Sequence, residues 1–281
     1  EKIDRDESVS GNLVKLNKEL QSQKRRKSKI ASLIKKMESE DLDKINATDP
    51  ESVNFRSRQG SHSGYNVQSV VDGKNGLIVN TEVSSKSNDM GEFTPQIQQA
   101  QEILEKKCET ACADAGYSDV NDLKKSVDQE DYNVVVPSQR QALHSRKDKP
   151  FSKDKFQYQP EKNEYICPAG KTMIFSSSNH KKKQHQYRMK SSKACKLCPY
   201  LGECTKAKRG RILRRLFAEE TKEQLEAYYK SVQGQAIYKQ RKSKVEIPFG
   251  HIKRNLGAGY FLMKGKKGVN AEMSILGTCF N

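Results

Sequence analysis

One segment of the chain, residues 139–215, does not fit an ordinary packed layer of helices and strands. It holds 21 Lys and Arg against five Asp and Glu, which accounts for nearly all of the net charge of +17. The apolar residues of this segment follow neither helical nor strand spacing. We therefore predict that the segment is a basic insertion in the fold. A charge concentrated in this way indicates a polyanionic partner, most often nucleic acid. The alternative is a solvated basic face without a partner.

The residues before this insertion have the pattern of an α/β core. Residues 64–72 and 77–85 alternate apolar and polar side chains around a Gly-containing turn, which predicts a β-hairpin. A helix capped by Asn88–Asp89, a short strand, a second helix and a buried strand over 131–138 follow. This order, β-β-α-β-α-β, predicts one compact mixed sheet flanked by helices.

Both ends of the chain are helical in pattern. Residues 1–48 carry two stripes of Leu and Ile, which predict one long helix or a helical hairpin. We therefore divide the chain into a helical segment (1–48), the first part of the core (49–138), the insertion (139–215) and a C-terminal helical part of the core (216–281).

Several protein classes are disfavoured by the sequence. No run of about 18 apolar residues predicts a membrane span, and no secretory signal pattern is visible. The seven cysteines are odd in number and the chain is large, so they do not resemble an extracellular disulfide framework. These features favour a protein of the reducing cytoplasm.

Four cysteines of the insertion have the spacing of a metal site. Two residues separate Cys195 from Cys198, five separate Cys198 from Cys204, and Cys167 lies upstream in a Pro- and Gly-containing turn. Four thiolates favour structural Zn²⁺ over harder cations. A bound ion would also supply folding free energy to a segment poor in apolar residues. Four free thiols, an iron–sulfur cluster, or a histidine replacing one cysteine are the alternatives.

Asp114 is the first candidate catalytic carboxylate. It follows the small residues Ala111–Ala113, which can form a short strand through a core, and Gly116 permits a turn directly afterwards. A carboxylate at the C-terminal end of a strand lies where α/β proteins place their chemistry. The alternative is a turn aspartate bonded to its own backbone.

Glu246 is the second candidate carboxylate. Many cations surround it in sequence, but the apolar neighbours Val245 and Ile247 predict that it is partly buried. A carboxylate that binds Mg²⁺ beside phosphate-binding cations suits phosphoryl transfer on nucleic acid. Lys253 lies two helical turns further on, so it could hold a DNA phosphate near the metal if the helix continues through Pro248.

In their order along the chain, these motifs resemble bacterial insertion-sequence transposases with a DDE catalytic domain. The residues that carry the resemblance are GYNVQSVVDGKNGLIV, NDMGEF, ADAGYSD, YICPAGK, CKLCPYLGEC, RKSKVEIPFGHIKRNLG and MSILG. They cover nearly the whole chain and are most similar to the subgroup with a Cys-rich insertion before the catalytic Glu. The resemblance implies an α/β, ribonuclease H-like mixed sheet flanked by helices, with a basic, zinc-knuckle-like insertion.

The resemblance also assigns roles to individual residues. It implies that Asp114 is the second catalytic Asp and Glu246 the catalytic Glu. Tyr238, Arg241, Glu246 and Lys253 resemble the Tyr-Arg-Glu-Lys signature of related transposases, although the gap from Arg241 to Glu246 is one residue longer than expected. The longer gap means that Lys242 could share the role of Arg241.

The first catalytic Asp of such enzymes lies on a strand before the helical segment, so it should precede Glu1. Asp72 and Asp89 match non-catalytic positions. The resemblance thus predicts a truncated fragment with two of three metal-binding carboxylates, lacking the N-terminal DNA-binding region and inactive by itself. A non-catalytic DNA-binding relic of a transposase and a metal-dependent nuclease without strand transfer are the alternative functions.

The implied activity is DNA strand cleavage and strand transfer with Mg²⁺ or Mn²⁺, and with Zn²⁺ as a structural ion. The implied partners are transposon ends and target DNA, bound by a possible homodimer, in the bacterial cytoplasm and associated with the nucleoid. Lys181, Lys182 and Lys183 of the insertion are expected to contact DNA phosphates.

Overall fold

A computed structural model describes residues 13–57, 60–129, 132–142 and 150–281. The chain divides into two compact units. The first comprises the residues up to Asp89 together with Lys244–Asn281, and the second comprises Met90–Ser243. The protein contains both helices and sheets, as the sequence predicts. None of the helices in the described ranges is long and apolar enough to cross a membrane.

The first unit contains a long helix, two β-hairpins and a C-terminal helix. Helix α1 spans Leu13–Glu40. Strands β1 (Val53–Ser57) and β2 (Gly60–Gly64) form one antiparallel pair. Strands β3 (Asn66–Val71) and β4 (Ile78–Ser84) form another. The second pair is the hairpin that the alternation of residues 64–85 predicts.

The C-terminal helix α8 (Lys266–Phe280) packs on β4. Its Asn270 Oδ1 accepts the backbone N–H of Val83 at 3.0 Å. Asn281 bonds both the N–H and the carbonyl of Ile78, each at 2.8 Å. These amide contacts hold α8 over the core of this unit, whose buried residues are Ile78, Val83, Ile252, Val269 and Met273.

The second unit begins with the remaining elements of the predicted α/β order. These are α2 (Phe93–Leu104), β5 (Thr110–Cys112), α3 (Val120–Gln129) and β6 (Asn133–Val135). Strands β5 and β6 pair in parallel, with Ala111 opposite Val134. The short helices and strands pack around Phe93, Ala111, Leu123, Tyr132, Val134, Val136 and Leu225.

Two details of the predicted core are wrong. The strands of the described part of residues 64–138 form two pairs, β3–β4 and β5–β6, where the sequence predicts one mixed sheet. Apolar alternation defines each strand and its buried face, but it does not determine which strand edges pair. Asn88–Asp89 does not cap α2 either, because the Asp122 carboxylate accepts the N–H groups of Phe93 and Thr94 at 3.0 and 3.3 Å.

The basic insertion forms an ordered antiparallel sheet. Its strands are β7 (Gln157–Gln159), β8 (Glu164–Ile166), β9 (Thr172–Asn179), β10 (Gln184–Met189) and β11 (Ile212–Leu216), in the spatial order β11-β10-β9-β8-β7. One face buries Phe156, Tyr165, Met173, Tyr187 and Leu213. The segment is poor in apolar residues, as the sequence shows, but its few large side chains are enough to form a core.

An ion network connects this sheet to helix α6 (Glu219–Lys230). Glu219 is 2% exposed and contacts Lys153 at 2.6 Å and Lys222 at 3.3 Å. Arg215 contacts Glu223 at 3.1 Å and lies over the Tyr158 ring at 3.9 Å. The buried charges are therefore paired, as burial in a low dielectric requires.

The remaining helices are α4 (Gln139–Ala142), α5 (Ser192–Lys196) and α7 (Val232–Arg254). The long α7 carries Tyr238, Arg241, Glu246 and Lys253 and continues through the fully buried Pro248. Proline removes one helical hydrogen bond, but the helix does not end there. Glu246 and Lys253 therefore lie on one uninterrupted helix, as the predicted role of Lys253 requires.

Candidate catalytic and nucleic-acid-binding site

Asp114 lies just after β5, held by the β5–β6 pair. The N–H of Ala113 donates to the carbonyl of Val135 at 3.2 Å and extends the parallel ladder up to Asp114. Asp114 Oδ1 accepts the N–H of Gly116 at 2.8 Å. Asp114 therefore does bond to its own backbone turn, which is the alternative to a catalytic role. Its side chain is nevertheless 46% exposed.

Arg241 is the charged residue of α7 that lies near Asp114. Its Nη1 is 3.9 Å from Asp114 Oδ2, and its guanidinium lies 5.4 Å from the centre of the Tyr238 ring. Tyr238 in turn packs edge-on against Tyr229 at 5.1 Å. Residues proposed from two separate parts of the sequence, Asp114 on one side and Tyr238 with Arg241 on the other, thus form one cluster in the second unit.

The surroundings of this cluster change two acid–base groups. Burial raises the pKa of the Cys112 thiol to about 11, opposed by Arg241 and reinforced by Asp114. Burial also raises the pKa of Tyr238. Burial thus favours the uncharged form of the Cys112 and Tyr238 side chains beside Asp114 and Arg241.

Glu246 and Lys253 lie on the part of α7 that belongs to the first unit. The expectation that Glu246 is partly buried is wrong, since its side chain is exposed, and its neighbour Ile247 is 58% exposed. The face of α7 that packs inward carries Pro248 and Ile252 instead. Lys253 is exposed and lines a cleft of about 750 Å³ with Tyr65 and Phe261.

The four cysteines of the insertion come together. Cys167, Cys195, Cys198 and Cys204 line one cavity of about 30 Å³. Burial raises the pKa of Cys204; Arg211 opposes this effect, and the three other cysteines add to it. Spacing in the sequence suggested the set, and the structure places all four side chains around one small space.

The backbone around these cysteines is arranged in tight turns. Cys167 N–H donates to the Lys171 carbonyl at 2.9 Å, and Lys171 N–H approaches Cys167 Sγ at 3.4 Å. Lys171 Nζ donates to the Ala194 carbonyl at 2.8 Å and joins the Cys167 turn to α5. These contacts fix the Cys167 turn beside α5.

A metal-binding geometry is not already formed. No group of three or more His, Cys, Asp or Glu side chains converges closely enough to hold an ion anywhere in the described ranges. The donor set of the cysteine cavity nevertheless suits zinc, because all four donors are sulfur. The carboxylates Asp114 and Glu246 are the oxygen donors that Mg²⁺ or Mn²⁺ prefers.

The two aspartates matched to non-catalytic positions have local contacts of their own. Asp72 accepts the N–H groups of Lys74 and Asn75 at 3.1 and 2.9 Å, and these bonds lower its pKa. Asp89 Oδ1 accepts the side-chain amides of Asn66 and Gln68 at 2.8 and 2.9 Å. Both carboxylates thus serve the hairpin β3–β4.

Lys181, Lys182 and Lys183 occupy the turn between β9 and β10. All three are exposed, and none takes part in an ion pair with another described residue. Sequence reasoning missed the aromatic rings beside them, among them Phe175 and Phe217. The sequence contains one signal for these rings, because aromatic residues lie near the lysine run. Strand alternation alone does not identify them.

The fold and these clusters define an α/β protein with a basic, cysteine-containing β insertion. Residues 166–281 match the family model described as the transposase DDE domain, which supports the resemblance to DDE transposases. The matched region is less than half of the chain. It contains the four cysteines, Tyr238, Arg241, Glu246 and Lys253, whereas Asp114 lies outside it. No curated protein and no solved structure matches the chain.

Proposed function

We propose that this chain is the catalytic region of a bacterial insertion-sequence transposase that cleaves DNA strands and transfers them to a target. The observation that carries the proposal is the cluster of Asp114 with Arg241. A strand-end carboxylate lies beside a cation of the helix that also carries Glu246, and that helix belongs to the region matched to the transposase DDE domain.

In this proposal Asp114 and Glu246 bind Mg²⁺ or Mn²⁺. When bound, such an ion activates an attacking oxygen and stabilises the leaving oxygen of a phosphodiester. Asp114 Oδ2 is suited to this role because its only ion pair among the described residues, with Arg241, is long at 3.9 Å, and the Asp114 side chain is 46% exposed. Contacts of this kind contribute little free energy and are easily replaced by a stronger ligand.

Arg241 and Lys253 would bind DNA phosphates. A guanidinium donates in a planar fork to phosphate oxygens, and the ring of Tyr238 limits the positions open to Arg241. Lys253 is exposed at the rim of its cleft. The Lys181–Lys183 turn would add further phosphate contacts from the insertion, and a homodimer would hold the paired transposon ends.

The cysteine cavity would hold a structural zinc ion through Cys167, Cys195, Cys198 and Cys204. Its support is that the four cysteines line one cavity of about 30 Å³ and that the N–H of Lys171 is directed at Cys167 Sγ. Zinc would fix the turns of the insertion.

Metal binding by the carboxylates is testable without any catalytic turnover. We expect the protein to bind Mn²⁺, measured by electron paramagnetic resonance, and we expect Asp114→Asn and Glu246→Gln each to weaken binding at least about tenfold. Asp128→Asn, a surface carboxylate paired with Lys124, is the matched control and should bind as wild type. Equal binding in all four proteins would refute the assignment.

A DNA-binding relic is favoured by the bond from Gly116 to Asp114 Oδ1, which partly satisfies this carboxylate without a metal. DNA binding without any Mn²⁺ binding would support the relic. The resemblance also predicts that residues 1–281 alone do not nick DNA, because only two of its three metal-binding carboxylates, Asp114 and Glu246, match residues of this sequence. Mg²⁺-dependent nicking by this polypeptide, lost in Asp114→Asn, would contradict that expectation.

A further inference from the structure

An exposed cluster of aromatic rings lies at one end of the insertion's sheet. It consists of Phe175 in β9, His180 in the β9–β10 turn, His185 in β10 and Phe217 just after β11. His185 lies 4.6 Å from Phe217 and 5.5 Å from Phe175, and His180 lies 5.6 Å from Phe217, between ring centres. We call these four residues the aromatic end.

The aromatic end is an extension of the buried core rather than a part of it. Phe175 contacts the Tyr187 ring at 6.0 Å, and Tyr187 is 1% exposed. Phe175 itself is 42% exposed and Phe217 is 43% exposed. Phe175 and Phe217 therefore present apolar surface to solvent, and Phe175 also packs against the buried Tyr187.

The lysine turn is attached directly to these rings. Lys183 accepts the N–H of Phe217 through its carbonyl at 2.9 Å, and Asn179 Oδ1 accepts the N–H of Lys182 at 2.9 Å. Lys183 adopts a left-handed backbone conformation, with φ of 48°. The backbone of the turn that carries three exposed lysines is thus bonded beside the two exposed rings.

We propose that the aromatic end stacks on unpaired bases of single-stranded DNA, while Lys181–Lys183 contact the adjoining phosphates. The proposal rests on the proposed function for its choice of DNA as the polyanion. Exposed rings beside cations are what sequence-tolerant binding of single strands requires, since every base has a face that can stack. Paired bases inside a duplex do not offer that face, so the rings should discriminate between the two forms of DNA.

The test compares single-stranded DNA of about 15 nucleotides with the same sequence as a duplex, using the full chain. The double variant Phe175→Leu/Phe217→Leu keeps apolar bulk but removes the stacking faces of the two exposed phenylalanines. We expect it to lose about 5- to 100-fold in affinity for the single strand and to bind the duplex as wild type does. Ile174→Ala is the matched control, because Ile174 is 38% exposed in the same strand but on its other face.

The lysines supply the complementary measurement. Replacing Lys181, Lys182 and Lys183 by Gln should weaken binding to both forms of DNA and reduce the dependence of affinity on salt. The leucine variant should leave the salt dependence unchanged. This difference separates stacking from charge.

A second measurement does not depend on any variant. A single strand that contains 2-aminopurine should lose fluorescence when wild-type protein stacks on it. Absence of quenching in a bound complex, or equal losses on single strand and duplex in the leucine variant, would overturn the stacking proposal and leave the proposed function intact. Absence of all DNA binding by folded wild-type protein would overturn both.

Discussion

Gly210 lies against the proposed zinc cavity, and its replacement by Ala tests how closely the backbone packs there. A Cβ at this position would lie 2.8 Å from both Cβ and Sγ of Cys195. Ordinary contacts begin near 3.4 Å, so Cys195 or the 210 backbone must move by more than half an ångström. Gly210 also has φ of +86°, a region that costs other residues about 1–2 kcal/mol.

Gly202 provides the matched control for this substitution. It has φ of +99° in the same part of the chain, but a Cβ there would meet nothing within 4 Å. Gly202→Ala should therefore lose only the conformational part, about 1–2 kcal/mol of unfolding free energy. Gly210→Ala should lose about 1–3 kcal/mol more, the usual cost of overpacking a filled site.

The assay is chemical unfolding of both variants, together with their zinc content after dialysis. We expect Gly210→Ala to unfold at lower denaturant concentration than Gly202→Ala and to retain less zinc, because its added methyl group displaces Cys195. Equal stability and equal zinc content in the two variants would refute the close approach of residue 210 to Cys195.

Three further outcomes are expected. Cys198→Ser should lower the zinc content from about one ion per chain, and wild-type protein without zinc after reduction would contradict this. Asp122→Ala should cost about 1–3 kcal/mol of unfolding free energy because it leaves the buried N–H of Phe93 without its acceptor, and unchanged thermal unfolding would contradict the cap. Burial opposes ionisation of Glu219, but contacts with Lys153 and nearby groups lower its pKa. Its ionised form therefore stabilises the fold above its unfolded pKa, about 4.3, and this contribution is lost as pH falls through the lower folded value. In Glu219→Gln the acid side of the stability profile should flatten, and an unchanged profile would contradict the role of the ion network.

Local pattern was enough to predict the hairpin and the order of elements around it. The alternation of residues 64–85 determines which side chains of β3 and β4 face the core, and the Asp72 turn is bonded by its own neighbours. The spacing of Cys195 and Cys198 likewise predicted a shared site, because closely spaced thiols on a turn must lie near each other.

Contacts between distant residues were not predictable in the same way. The cap of α2 comes from Asp122, 29 residues after Phe93, and no local signal identifies it. The core of the insertion was missed because its large inward residues, such as Met173 and Tyr187, are spread over short strands with a bulge between β9 and β10. The apolar residues beside Glu246 suggested that it is partly buried. Its exposure depends instead on which face of α7 packs inward.

The central claim is that Asp114 and Glu246 bind the catalytic metal ion. Fe²⁺ can replace Mg²⁺ in such sites, and with added hydrogen peroxide and ascorbate it generates hydroxyl radicals that cut the polypeptide beside its ligands. Mapping these cuts by mass spectrometry tests the claim without requiring activity. The account predicts cuts beside Asp114 and beside Glu246, both suppressed by excess Mg²⁺ and both weakened in Asp114→Asn. Cuts confined to other positions, or cuts at Glu246 that persist in full in Asp114→Asn, would contradict it.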